Sequence, residues 1–179
     1  MRMVRCIMLR ILVAATAFLG SCAILVADDS PRPKEARDLW PLAIAKQQVH
    51  RFSTLFTSHQ VREHLSSDEG IAAAVDWCKK TAVTKVYIES FRDGYQAQRE
   101  ALQHAKERFQ AAGFEVSGCV TTTQVGKAST GWKIISCYTD MPTQKKLQAV
   151  FEYTAGLFDE IMIDDFWFTD CACRECDAA

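Results

Sequence analysis

Three residue groups within a dozen positions carry the chain's clearest chemistry. Asp164 and Asp165 end the short apolar run Ile161-Met162-Ile163, Phe166-Trp167-Phe168 follow at once, and Cys171-x-Cys173-x-x-Cys176 comes next. A buried parallel strand delivers carboxylates to a site at its carboxyl end in this way. Carboxylates there can act as general acid, base or nucleophile, the groups that cleave a glycosidic bond. Neighbouring strand residues point to opposite faces, so only one of Asp164 and Asp165 can face the site while the strand stays regular. The other is expected to cap a loop or accept backbone amides. Phe166, Trp167 and Phe168 offer flat apolar faces for stacking on sugar rings, or else serve as core. Glu89 closes an earlier β-branched run and His59 follows a still earlier one, so Glu89, Asp164 and Asp165 are the candidate catalytic residues and His59 joins the aromatics as a candidate substrate contact.

The three clustered cysteines suit one tetrahedral zinc, which needs a fourth ligand. Cys137 is the best candidate, since its loop leaves the same end of the sheet. Such a site would be closed and structural. One or two disulfides, for example from Cys137 to the cluster, are the competing reading, because oxidising compartments favour them. Cys78 falls on an apolar helix face and Cys119 inside a strand, as small buried hydrophobes do. His50, His64 and His104 show no ligand-like pairing.

Elements of alternating type must position these groups. A lead-in helix broken by Pro41 is expected over 37–49, and a first strand over 52–57. Ser66 with Glu69 has the spacing of a capping box, opening a helix with Ile71, Ala74, Val75 and Cys78 at core spacing. A second strand covers 83–89. An amphipathic helix runs from about Tyr95 to Ala112, stopped by Gly113. The third strand covers 114–120, and a loop of about twenty residues, a length that is usually functional, leads to a helix opened by Pro142. The fourth strand carries the aspartates, and 175–179 looks like the first turn of another helix. The order β-α-β-α-β-α-β predicts an α/β fold of parallel strands joined by right-handed crossovers. A small open sheet is one closure. The preferred one is parallel βα units forming the first half of a (β/α)8 TIM barrel, truncated, since a whole barrel takes about 250 residues. An open half barrel exposes strand edges, so a homo-oligomer or poor solubility is expected.

Ahead of these elements, Arg2, Arg5 and Arg10 precede an uncharged apolar run from Ile11 to Ala27. That is the pattern of a secretory signal, cleaved after Ala23 or Ala27; a membrane span needs about 20 apolar residues. Leu19-Gly20-Ser21-Cys22 also resembles a lipobox, which would attach the chain to a membrane through lipid on Cys22. A secreted, periplasmic or envelope-anchored protein is expected, divided into a signal peptide (1–27), a linker with lead-in helix (28–50) and a partial barrel domain (51–179). The net charge of -1 leaves no basic footprint for nucleic acid.

Cys137-Tyr138-Thr139-Asp140-x-Pro142, a helix, Phe158-Asp159-Glu160-Ile161-x-Ile163-Asp164-Asp165-Phe166 and Cys171-x-Cys173-x-x-Cys176 together resemble the middle of secreted glycoside hydrolase-like TIM barrels. The zinc-containing β-galactosidase group is similar in having one upstream cysteine followed by the same three-cysteine spacing. The resemblance implies a barrel, a carbohydrate partner, and a structural zinc on Cys137, Cys171, Cys173 and Cys176. It breaks at the fourth strand, where that group has an Asn-Glu pair and this chain has Asp164-Asp165. The expected function is therefore a glycoside hydrolase-like domain with strand-end carboxylates at the sugar site. A non-catalytic carbohydrate-binding or envelope scaffold protein with a structural cysteine site is the alternative, and an envelope zinc or redox protein a third reading.

Overall fold

In the computed structural model of the protein, residues 38–179 are described; the leader, the Cys22 lipobox and residues 28–37 of the linker lie outside them. Helix α1 spans Trp40–Lys46 with Pro41 in its first turn. Proline is at home there, because the first-turn N–H groups have no helical partner; Pro41 opens this helix instead of breaking it. Strand β1 is Phe52–Phe56. A helix that the hydrophobic pattern does not signal, α2 (Ser58–His64), follows at once, started by a reciprocal capping box between Thr57 and Gln60. Helix α3 runs Asp68–Lys80 with Ser67 as its cap, accepting from the Gly70 N–H. The Ser66–Glu69 box is thus off by one residue: the Ser66 hydroxyl donates back to the Arg62 carbonyl and finishes α2.

Strand β2 (Val83–Arg92) is three residues longer than the pattern predicts. It turns through Asp93 and Gly94, both at positive φ (52° and 75°), into the two-residue strand β3 (Tyr95–Gln96). Asp-Gly is the favoured pair for such a tight hairpin, and it delays helix α4 to Arg99–Ala111 instead of a start near Tyr95. Strand β4 is Glu115–Val120. Helix α5 (Met141–Ala155) is capped by the Asp140 side chain and carries Pro142 in its first turn. Strand β5 is only Ile161–Ile163, and the short α6 covers Arg174–Asp177.

The sheet order is β1-β2-β4-β5, with β3 attached to β2. All four main strands are parallel, and only the β3 ribbon is antiparallel. Main strands in chain order with no reversal lack the switch point of a doubly wound sheet and have the arrangement of a partial TIM-barrel-like fold.

Residue parity divides the sheet into two faces. Val86 and Ile88 point toward the helices and join Val61, Leu65, Leu102 and Phe109 in the main apolar core. Lys85 and Glu89 point the other way, as do Ser117 and Cys119 on β4. At the amino end of this face Lys85 Nζ lies 2.9 Å from Glu115 and 2.8 Å from Glu160. At the carboxyl end lies a second charged cluster, centred on Glu89.

Candidate functional site

Glu89 is completely enclosed. Its carboxylate accepts the Ser58 backbone N–H at 2.8 Å, from the first turn of α2, and the Arg92 Nε–H at 3.0 and 3.1 Å. The Thr121 hydroxyl donates to it as well. Arg92 lies three residues after Glu89, a spacing that in a regular strand puts two side chains on opposite faces. A register shift in the β2–β4 ladder between Glu89 and Phe91 restores the same face, as bulges do. The other arm of the Arg92 guanidinium reaches Asp164 Oδ2 at 2.7 Å, and Thr121 Oγ lies 2.9 Å from that oxygen.

The structure thus brings together the ends of β2, β4 and β5, although Asp164 and Glu89 are 75 residues apart in the chain. Asp164 is still held to β4 by its own N–H on the Val120 carbonyl, at 3.1 Å. Its side chain retains 23% exposure. Burial works to raise its pKa, but the Asp165 amide, the Thr121 hydroxyl and Arg92 outweigh burial and hold the carboxyl below the ordinary aspartate value. Asp165 turns outward and is exposed.

The other candidate contacts divide. His59 follows β1 in the first turn of α2, where its ring stacks on Tyr95 with centroids 5.3 Å apart and Nε2 lies 3.8 Å from Asp93. It thereby belongs to the β2–β3 turn. Phe166 packs 5.7 Å from the Trp132 ring, while its carbonyl accepts from the Thr122 hydroxyl. Trp167 leans the other way, against Tyr138 and against Phe151 of α5. Phe168 is 44% exposed. The three consecutive aromatics therefore do not form one surface. Arg92, Thr121 and Trp132 are members of this region that spacing alone does not reveal.

Beside it, the 121–140 loop and the 164–176 segment meet at four cysteines. The sulfurs of Cys137, Cys171, Cys173 and Cys176 all lie within 4.8 Å of one another. Cys137 Sγ is 3.8 Å from Cys173 Sγ and 3.6 Å from Cys176 Sγ. Four thiolates around one ion with bonds of about 2.3 Å would have sulfurs about 3.8 Å apart, so the donor set fits a metal ion. All four thiols are free, and the competing reading of disulfides from Cys137 to the cluster is not the arrangement found.

The electrostatics carry the same implication. The Thr130 backbone amide is the chief cause holding the Cys171 thiol down at about 6, though burial opposes it. Thr139 also pulls on Cys176, yet burial and the three neighbouring sulfurs push that thiol up to about 12. A bound cation would favour the thiolate form of such a set of donors. Cys78 and Cys119 differ from them: burial pushes each up to about 12, Cys119 with help from the Glu89 and Asp164 charges. They are inert thiols.

These strand ends and cysteines fall inside a longer match. An uncharacterized protein of Saccharolobus solfataricus is 31% identical over 112 residues, which is 59% of this chain and 18% of that protein. The chain spans less than a fifth of that relative's length. No solved structure matches. A family profile described as "Probable glycosyl hydrolase, catalytic domain" matches residues 38–179, most of the chain. By that match, which takes in every strand and all four clustered cysteines, the chain belongs to the family of probable glycosyl hydrolase catalytic domains.

Proposed function

We propose that this chain is a glycoside hydrolase-like domain acting on a carbohydrate, with Asp164 at the reacting centre and a structural zinc ion on Cys137, Cys171, Cys173 and Cys176. The observation that carries the reading is Asp164 itself: a strand-end carboxylate, kept ionised by Arg92 and Thr121 yet open to solvent. An ionised carboxylate at a sugar's anomeric carbon serves as nucleophile or as base for water. Glu89 has the complementary environment. With no exposed surface and donors on both oxygens, it anchors Arg92 and has no lone pair directed at a substrate. Asp165 and the exposed aromatics supply the outer part of the sugar site. Zinc, when bound, supplies a closed tetrahedral link between the two loops and no Lewis acid for the reaction. The Arg-led apolar amino terminus supports export to the cell envelope or beyond, with Cys22 as a site for lipid.

A second reading is favoured by the enclosure of Glu89. Hydrolysis needs two carboxylates roughly 5–10 Å apart with access to the sugar, and Glu89 is closed to it. A carbohydrate-binding role without turnover would keep the site's shape and need no second carboxylate. The discriminating experiment measures release of nitrophenol from a series of aryl β-galactosides, β-glucosides and β-xylosides, with wild type and Asp164→Asn. The hydrolase reading expects turnover that falls at least roughly a thousandfold in the variant. Sugar binding with no turnover in either protein selects the second reading. Elemental analysis and native mass spectrometry should find one zinc per chain, and a different metal or none would overturn that assignment.

A further inference from the structure

Trp132 combines an exposed ring with a backbone held from several sides. The indole is 50% exposed, whereas tryptophan is on average a highly buried residue. The Trp132 backbone N–H donates to the Asp170 carboxylate at 2.6 Å, and the Trp132 backbone carbonyl accepts the Ile135 N–H at 2.9 Å. Asp170 also accepts the Ser129 hydroxyl, which in turn accepts the Gly131 N–H. A side chain at position 131 would run into that carboxylate, so glycine is what lets Asp170 close on the loop. The Thr130 hydroxyl accepts the Ala172 N–H at 2.7 Å, tying the same turn to the cysteine segment.

Trp77 is a useful contrast. It is 49% exposed on α3, beside a cavity that it lines with Phe56 and His64, and its backbone is held by the helix. Trp132 instead stands at 53° to the Phe166 ring. Phe166 lies two residues beyond Asp164, in the turn that follows β5. An open indole backed by an aromatic from the turn that follows Asp164 suits a ring with one C–H face and a hydroxyl rim. The C–H groups of such a ring would lie against the negative face of the indole.

We infer that Trp132, backed by Phe166, is the stacking platform for a pyranose ring next to the one at Asp164, and that Asp170 is the positioning residue that presents it. This rests on the carbohydrate reading above and adds a residue from the β4–α5 loop to the site. Native affinity electrophoresis of the full chain in gels containing galactan, xylan or mixed-linkage β-glucan tests it. Wild type should be retarded by at least one polymer. Trp132→Ala should weaken that affinity roughly 3–10-fold, Trp132→Phe should retain most of it, and Trp77→Ala should match wild type. Retardation of Trp132→Ala equal to wild type would overturn the platform while leaving the carbohydrate reading intact. No retardation of wild type in any gel, together with no turnover of the aryl glycosides, would overturn both.

Discussion

The carboxylate network and the cysteine clasp sit at the same end of the sheet but are built on opposite plans. Glu89, Arg92, Thr121 and Asp164 come from three strand ends, and each charge faces a partner of the other sign or a hydrogen-bond donor. Sheet hydrogen bonds position the groups, so the network is complete with protein atoms alone. The clasp comes from two loops, and its four sulfurs are donors of one kind turned toward a common centre. The 121–140 loop has only a short internal pairing, around the antiparallel Ala128–Ser136 bridge, and Asp170, Thr130 and Thr169 tie it to the 164–176 segment. What they bring together is a set of thiolates that repel once ionised. One region therefore gains its rigidity from the sheet, and the proposed cation would add rigidity to the other.

The sharpest way to break this contrast is Glu89→Ala. It leaves the Arg92 guanidinium and the Ser58 amide without their enclosed acceptor, and removing one partner from a buried charge pair costs about 3–5 kcal/mol. Thermal melting should show Tm lower by roughly 10–15 °C, with the bound metal still present by mass spectrometry. A loss below about 1 kcal/mol would mean that the network is not held by its buried carboxylate. Stripping the metal with a chelator is expected to come second, lowering Tm by about 10 °C at zinc well above its Kd. The loss should concentrate in slower-protected amides of 121–140 and 164–176, measured by hydrogen exchange, with β2 and β4 unchanged. Uniform loss of protection across the sheet would contradict the separation of the two regions.

The same contrast explains what could be read from residues alone. The cysteine set is legible because three cysteines stand at short, ligand-like spacings, and the fourth cysteine follows from which loop leaves the same sheet end. The alternation of strands and helices was legible from apolar periodicity, as the parallel sheet bears out. Arg92 was not, because a strand bulge moves a residue to the other face without a mark in the hydrophobic pattern. Helix α2 leaves no mark in the periodicity because it is seven residues long and buries only Ser58 and Val61, too little for a periodic stripe. Its start was nevertheless marked by Thr57-x-x-Gln60, and the β2–β3 turn by Asp93-Gly94. Local turn chemistry held more information there than periodicity did. The aromatics were misleading in the opposite sense: adjacency in sequence suggested one platform, whereas backbone turns at 164–168 send Phe166 to Trp132 and Trp167 to α5.

Acid should separate the two regions by smaller steps. Asp164 has a folded pKa below its ordinary value, so its contribution to stability is present above the unfolded value of about 3.9 and is lost as pH falls through the lower folded value. Asp170, held down chiefly by the Ser129 hydroxyl, behaves likewise, as does Glu160, held down chiefly by Lys85. The clasp depends in addition on thiolates, and protonating them releases a bound metal at higher pH than any of these carboxylates titrates. An acid titration followed by metal release and by near-ultraviolet circular dichroism should therefore show the metal leaving first, with the sheet unfolding only below about pH 4. Asp164→Asn removes one group from the lower step alone, so its unfolding should depend less steeply on pH there and its metal-release curve should overlay that of wild type. A variant that shifts metal release as well would mean that Asp164 is coupled to the cysteines, and the two regions would then act as one unit despite being built from different elements.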